Sequence, residues 1–271
     1  MKRTRSNKWI QCCRTKRLSN QSARNKLIIA LDVETAREAR ELVHTLRETA
    51  GMFKIGSQLF TSAGPDIVRE IIRAGGRVFL DLKFHDIPNT VAAACVEAAR
   101  LGVSMLNVHA SGGSEMMRRT VASVTEVSEK ESLPPPILLA VTVLTSSDAN
   151  TLAETGISVS DIESQVAALA KLSHDCGMNG VVASPREVAF VRARIPAREF
   201  IIVTPGVRSV GDSSNDQRRV MTPAEAVMAG ADYLVVGRSI LNAREPVRAA
   251  EAIVAEMQQA LVATRKDQSK T

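Results

Sequence analysis

The stretch Arg77-Val78-Phe79-Leu80-Asp81-Leu82-Lys83-Phe84-His85-Asp86-Ile87-Pro88-Asn89-Thr90 decides how this chain is read. It opens on an apolar run of the kind found in strands buried on both faces. It then sets two carboxylates on either side of one lysine and reaches an Ile-Pro pair that suits a helix start. A strand that leads into a helix through three alternating charges is a βα unit with its polar residues at the C-terminal end of the strand. Desolvating any of those charges without a partner costs on the order of several kcal/mol. The array is therefore either solvated surface or a site.

The same rhythm runs outward in both directions. Apolar runs at 27–31, 52–56, 104–109, 137–143, 180–183, 200–203 and 233–237 join 77–81 to make eight expected strands. Helical patterns lie between them at 35–50, 64–74, 88–101, 113–130, 160–176, 185–194 and 222–230, and a last one at 245–262 closes the chain. Thr35-Ala-Arg-Glu38 and Thr222-Pro-Ala-Glu225 have the form of capping boxes, the second with proline at the first helical position. Strict alternation of eight strands and eight helices over 26–262 predicts a single-domain α/β protein, a (β/α)8 TIM barrel. An open doubly wound sheet fits less well, because no G-x-G-x-x-G follows the first strand and a count of eight suits closure. The connection 206–221 has no apolar period and is expected to form a lid at the C-terminal end of the seventh strand.

Composition narrows the classes further. With 45% apolar residues, of which only six Phe, one Tyr and one Trp are aromatic, the core is expected to be built from Ala, Val, Leu and Ile. No apolar run approaches the ~18 residues that span a bilayer, so no membrane partner is expected. The net charge of +6 is misleading. Nine of the 35 Lys/Arg fall in residues 1–26, which contain no Asp or Glu; the other 26 face 29 acidic residues, so the remainder is net −3. A specific nucleic-acid partner is therefore not expected, and the basic segment carries no set of aromatic residues for base stacking. Residues 1–25 read as a basic, disordered extension with the composition of a transit peptide, and 263–271 as a polar tail. Cys12, Cys13, Cys95 and Cys176 form no C-x-x-C pair, and Cys95 and Cys176 are expected to be buried reduced thiols of a cytoplasmic protein.

In a barrel the chemistry gathers at the C-terminal ends of the strands. Polar residues occur there on seven strands: Asp32, Lys54, Asp81 with Lys83, Asn107 with His109, Thr145, Arg208 and Arg238. Opposite charges nearby favour the charged form of a base, so Lys83 between Asp81 and Asp86 should remain an ammonium. An ammonium in a closed site is an acid that can deliver a proton to carbon or oxygen. Two aspartates could instead suggest a metal, but Lys83 and Lys54 oppose a cation there. Gly237-Arg238 after the eighth strand and Thr204-Pro-Gly206-Val-Arg208 after the seventh stand where barrels often bind phosphate, with arginine able to offer a bidentate fork.

These motifs, with Ala30-Leu-Asp32, Lys54-Ile-Gly56, Val141-Thr-Val-Leu-Thr-Ser146, Asp216-Gln-Arg-Arg219 and Val236-Gly-Arg238, resemble those of the bacterial orotidine 5′-phosphate decarboxylases, in order, over about residues 26–262. The resemblance implies cofactor-free conversion of orotidine 5′-monophosphate to UMP and CO2 in de novo pyrimidine biosynthesis. By position, Lys83 would protonate C6 as CO2 departs, with Asp81 and Asp86 beside the leaving carboxylate in a Lys54–Asp81–Lys83–Asp86 chain. Asp32 and Lys54 match ribose-binding positions, and Thr145, with Ser146 beside it, matches the pyrimidine contact. Arg208, Gln217, Gly237 and Arg238 match the phosphate clamp. His109 and Asn107 rank below these. Asp86 and Thr90 would reach the site of a neighbouring subunit, which implies a homodimer. The alternative on the same barrel is a Mg-dependent sugar-phosphate decarboxylase or aldolase. The resemblance implies an acidic residue after the second strand in those enzymes, where this chain has Lys54.

Overall fold

A computed structural model describes residues 23–157, 161–207 and 221–268. Eight parallel strands pair in sequence order and close on themselves: β1 Leu27–Ala30, β2 Met52–Gly56, β3 Val78–Phe84, β4 Met105–His109, β5 Ile137–Val141, β6 Gly180–Val182, β7 Ile201–Pro205 and β8 Tyr233–Val236. β1 completes the ring by pairing with β8, with Leu27 opposite Leu234. The (β/α)8 barrel expected from the alternation is thus the fold. The strands read as continuous apolar runs because both of their faces are covered, one by the outer helices and the other by the packed barrel interior.

Period-two alternation assigns each strand residue to one of those faces. Ile28, Met52, Phe79, Met105, Leu139 and Tyr233 belong to a separate inner cluster that fills the barrel, whereas Leu27, Ile29, Leu80 and Leu106 join the large cluster beneath the helices. Two residues beyond Met52, Phe79 and Met105 on the same inner face stand Lys54, Asp81 and Asn107. The apolar interior therefore serves as a floor, with three polar side chains placed above it by strand geometry alone.

The helices begin where local chemistry predicts. Thr35 caps helix Ala36–Leu46 by accepting from the Glu38 N–H. Thr222 and Glu225 form a reciprocal capping box on helix Pro223–Ala229, with proline at its first turn. Among the described residues four α-helices fall outside the expected pattern: Ala23–Lys26, Ser57–Ala63, Ala149–Glu154 and Arg238–Leu241. Ser57–Ala63 starts directly from Gly56 and stops at Gly64, whose φ of +66° suits glycine, and its few residues are too short to show a helical period. The closing helix runs Pro246–Gln268, beyond the 262 at which the apolar period ends, because the residues that follow still favour a helix. Most of the lid expected at 206–221 lies outside the described residues; its two ends meet as a bridge between Val207 and Met221.

β3 departs from expectation in a way that matters. It does not end at Asp81 but continues to Phe84, and its pairing with β4 steps from Leu80↔Leu106 directly to Phe84↔Val108. Residues 81–83 of β3 therefore face the single residue Asn107 of β4. This bulge turns Lys83 into the left-handed region, with φ +51°. A non-glycine residue there costs roughly 1–3 kcal/mol and persists only where its surroundings hold it.

Candidate active site

The mouth of the barrel holds four charges in alternating order. Asp32 Oδ1 lies 3.1 Å from Lys54 Nζ, Lys54 Nζ lies 3.3 Å from Asp81 Oδ2, and Asp81 Oδ1 accepts from Lys83 Nζ at 2.7 Å. Each comes from a different feature of the fold: the end of β1, the inner face of β2, the inner face of β3, and the bulge of β3. The formal charges of the four cancel, and each ammonium has an anion beside it; Lys54 and Asp81 are buried, whereas Asp32 and Lys83 remain open to solvent.

Burial and pairing oppose each other in this series, and pairing prevails. Burial alone would push the Asp81 carboxyl up, but the Lys54 and Lys83 ammoniums, with hydrogen bonds from Lys83 and Asn107, hold it below its ordinary value. Burial alone would lower Lys54, but Asp81 and Asp32 hold it above its ordinary value. Both groups are therefore charged at neutral pH. His109, at the end of β4, is depressed by burial first, then by the neighbouring His85 ring and the Lys83 ammonium, against a smaller pull from Asp81. The His85 and His109 ring centroids lie 5.5 Å apart.

These charges open onto a cavity of about 250 Å3. Asp32, Lys54, Asp81 and Lys83 line it, Phe79, Val141, Val182 and Val235 give it apolar walls, and Thr145, Gly237 and Arg238 also border it. A Cβ at Gly237 would come within 3.4 Å of Ala30 Cβ and 3.5 Å of Asp32 Oδ2, so glycine keeps that corner open. A cavity lined by both apolar side chains and paired charges, with an arginine among its walls, can take a ligand that combines an apolar ring with an anionic group.

Seven of the sequence-derived site residues thus meet in one cavity: Asp32, Lys54, Asp81, Lys83, Thr145, Gly237 and Arg238. Asp86 and Thr90 do not. Both are exposed; Asp86 Oδ1 accepts from the Ile87 N–H at 2.6 Å, and Thr90 lies in the first turn of helix Pro88–Arg100. Within one chain the charge series is Asp32–Lys54–Asp81–Lys83, and Asp86 stands apart from it. Arg208 and Gln217 lie outside the described residues. Sequence reasoning did not name Ser239 or the valine walls, although inward alternation on β5, β6 and β8 marks Val141, Val182 and Val235. Asn107, ranked below the others from the sequence, does not line the cavity but is buried and contacts both Asp81 and the Lys83 backbone. Among the described residues no cluster of three or more His, Cys, Asp or Glu is placed to hold a metal ion, and no helix is long and apolar enough to cross a membrane.

A closed barrel with a preorganised set of charges at the C-terminal ends of its strands defines a (β/α)8-barrel enzyme. The family described as orotidine 5′-phosphate decarboxylase / HUMPS matches residues 25–253. Orotidine 5′-phosphate decarboxylase of Syntrophotalea carbinolica is 55% identical over 239 residues, covering 88% of this chain and 97% of the relative. That of Moorella thermoacetica is 53% identical over 237 residues, covering 87% and 93%. A crystal structure of the Lactobacillus acidophilus orotidine 5′-phosphate decarboxylase superposes with a TM-score of 0.75 at 34% identity, covering 85% of this chain and 98% of that one. The chain belongs to the orotidine 5′-phosphate decarboxylase / HUMPS family.

Proposed function

We propose that this protein decarboxylates orotidine 5′-monophosphate to UMP and CO2 without a cofactor, as a cytoplasmic homodimer in pyrimidine biosynthesis. The observation that carries the reading is the Lys83 ammonium, held 2.7 Å from Asp81 at the side of an apolar cavity. The pyrimidine ring would lie between the valine walls near Thr145, the ribose against Asp32 and Lys54, and the phosphate toward Gly237 and Arg238, with Arg208 and Gln217 completing that clamp. Breaking the bond from C6 to the carboxylate leaves the electron pair on C6. A proton from Lys83 Nζ satisfies that pair as the new C6–H bond forms, and solvent then returns a proton to the lysine.

The charge pattern favours the transition state over the ground state. Asp81 opposes the substrate carboxylate in the ground state, and that repulsion vanishes as CO2 leaves neutral. Lys83 meets more negative charge at C6 as the bond breaks. Interactions that strengthen along the reaction raise the rate, whereas uniform binding does not. Contacts to the phosphate, far from C6, can offset the cost of holding the carboxylate beside Asp81.

The exposed position of Asp86 and Thr90 supports the dimeric reading, since side chains that serve a neighbouring subunit need to point away from their own cavity. Lys54 opposes the Mg-dependent alternative: its ammonium sits between Asp32 and Asp81, where a divalent cation would need carboxylates alone. The test is consumption of orotidine 5′-monophosphate, followed by its absorbance and by UMP formation, with EDTA present and no added metal. Full turnover is expected. Turnover that needs Mg2+, or activity only on a keto-sugar phosphate, would replace this reading with the alternative. Dimeric sharing is tested by mixing Lys83→Ala and Asp86→Asn subunits. Each alone should be inactive, and random exchange should restore about a quarter of the unaltered activity, because one site in each mixed dimer is intact.

A further inference from the structure

Asn107 is a fully enclosed polar side chain near the site. It is 0% exposed and lines no part of the cavity, yet it faces the barrel interior from β4, directly opposite the β3 bulge. Its Oδ1 accepts from the backbone N–H of Lys83 at 2.8 Å, and its Nδ2 donates to Asp81 Oδ1 at 2.7 Å. The orientation of the amide is forced. A backbone N–H can only donate and a carboxylate can only accept, so no flipped amide satisfies both.

The two partners are not independent. The same Asp81 oxygen that accepts from Asn107 also accepts from Lys83 Nζ, at 2.7 Å. A single side chain therefore grips the lysine by its backbone and, through Asp81, at its ammonium. The bulge takes the Lys83 N–H out of the strand ladder and strains its φ to +51°, and Asn107 supplies the missing acceptor. A buried asparagine with a purely architectural role has no need to join two groups of the reacting site.

Building on the function proposed above, we infer that Asn107 is a positioning residue for the decarboxylation: it holds Lys83 in the bulge and orients Asp81, so that the ammonium stands at one fixed point beside the cavity. It does not touch the substrate. Its removal should slow the chemical step and leave substrate binding nearly unchanged.

Two variants of the full-length protein test this. Asn107→Ala leaves the Lys83 N–H and one Asp81 lone pair without partners, and kcat should fall about 10- to 100-fold, the effect of losing a buried hydrogen-bond partner. KM should stay within about threefold, because the side chain does not line the cavity. Asn107→Asp keeps the shape and adds a readout that a structural role would not move. Ionised, the introduced carboxylate still accepts from Lys83 but repels Asp81; protonated, it accepts through C=O and donates through O–H, as the amide does. Two carboxyl groups sharing a site have one titration pushed strongly upward. The Lys54 and Lys83 ammoniums already hold Asp81 ionised, so the proton goes to the introduced carboxyl, and the rate of Asn107→Asp relative to the unaltered protein should rise by about tenfold or more as pH falls.

A kcat within threefold for Asn107→Ala, or a flat rate ratio across pH for Asn107→Asp, would overturn the proposal while leaving the decarboxylase reading intact. Absence of turnover by the unaltered protein would overturn that reading instead. The crystal structure of Asn107→Ala would then decide the positioning role: relaxation of Lys83 to negative φ supports it, and a left-handed Lys83 still paired to Asp81 refutes it.

Discussion

Replacing Asp81 with asparagine removes the anion shared by two ammoniums without changing the volume of the side chain. Asp81 accepts from Lys83 and Asn107 through Oδ1 and faces Lys54 through Oδ2. An amide in its place has one oxygen. Whichever way it turns, its NH2 confronts either Lys54 or the Lys83 and Asn107 donors. The formal charge of the four-residue series rises from zero to +1, and Lys54, whose side chain is only 12% exposed, keeps Asp32 alone as a partner. Breaking a buried pair on one side costs about 3–5 kcal/mol. Lys83 is 35% exposed and can recover some hydration, which places the expected cost near the lower end, at about 3 kcal/mol. At roughly 2–4 °C per kcal/mol for a domain of this size, Tm should drop by roughly 6–12 °C. Calorimetry or circular dichroism at neutral pH and moderate salt measures it. A Tm within about 2 °C of the unaltered protein, or a rise, would show that the desolvation of the paired charges outweighs their attraction and would refute the reasoning.

The same pair predicts a stability plateau with defined limits. The folded value of Asp81 lies below the ordinary 3.8, so its stabilisation is present above that pH and is lost as pH falls through the folded value. The folded value of Lys54 lies above the ordinary 10.5, so its stabilisation is complete below that pH and is lost as pH rises through the folded value. Urea midpoints across pH should reveal the alkaline limb in the unaltered protein and a shallower one in Lys54→Met. At the opposite end of the barrel, Arg192 donates to Gly230 O at 3.0 Å and Phe200 O at 2.6 Å, and pairs with Asp232, which also accepts from the Ile202 N–H. Arg192→Ala should cost about 3 kcal/mol in urea unfolding, because the half-buried Asp232 loses its counter-ion. Gly180→Ala would place a Cβ 2.0 Å from Ile201 O, a backbone atom of the neighbouring strand. That variant should lose at least about 3 kcal/mol, seen as a low soluble yield or a strongly reduced Tm, since the β6–β7 pairing would need to separate.

The parts of this fold that were legible in sequence are those with a local cause. Strands such as 27–31 and 233–237 are apolar runs because their burial is two-sided, and Thr222-Pro-Ala-Glu225 encodes its own cap. Lys54, Asp81 and Lys83 were legible because a charge carried at the end of a buried apolar strand is costly unless a partner or a ligand meets it there. The bulge was not. It arises from three residues of β3 meeting one residue of β4, a property of pairing that neither strand carries alone. The role of Asn107 was hidden for the same reason, since its two partners lie 24 and 26 positions away in sequence. The short helices Ser57–Ala63 and Ala149–Glu154 were missed because two turns or fewer show no period. The separation of Asp86 and Thr90 from the cavity follows from the turn at Ile87-Pro88, which carries the chain outward into its helix.

The central claim is that Lys83 supplies the proton to C6, and the most direct measurement is single-turnover UMP formation by Lys83→Ala alongside UMP binding by the same variant. In Lys83→Ala, UMP formation should fall to the limit of detection while Tm and UMP affinity change little, because Lys83 stands at the edge of the charge series and is the more solvent-accessible of its two lysines. UMP formation by Lys83→Ala within about tenfold of the unaltered rate would contradict it, since a proton donor in the chemical step contributes about 10²–10⁴-fold or more.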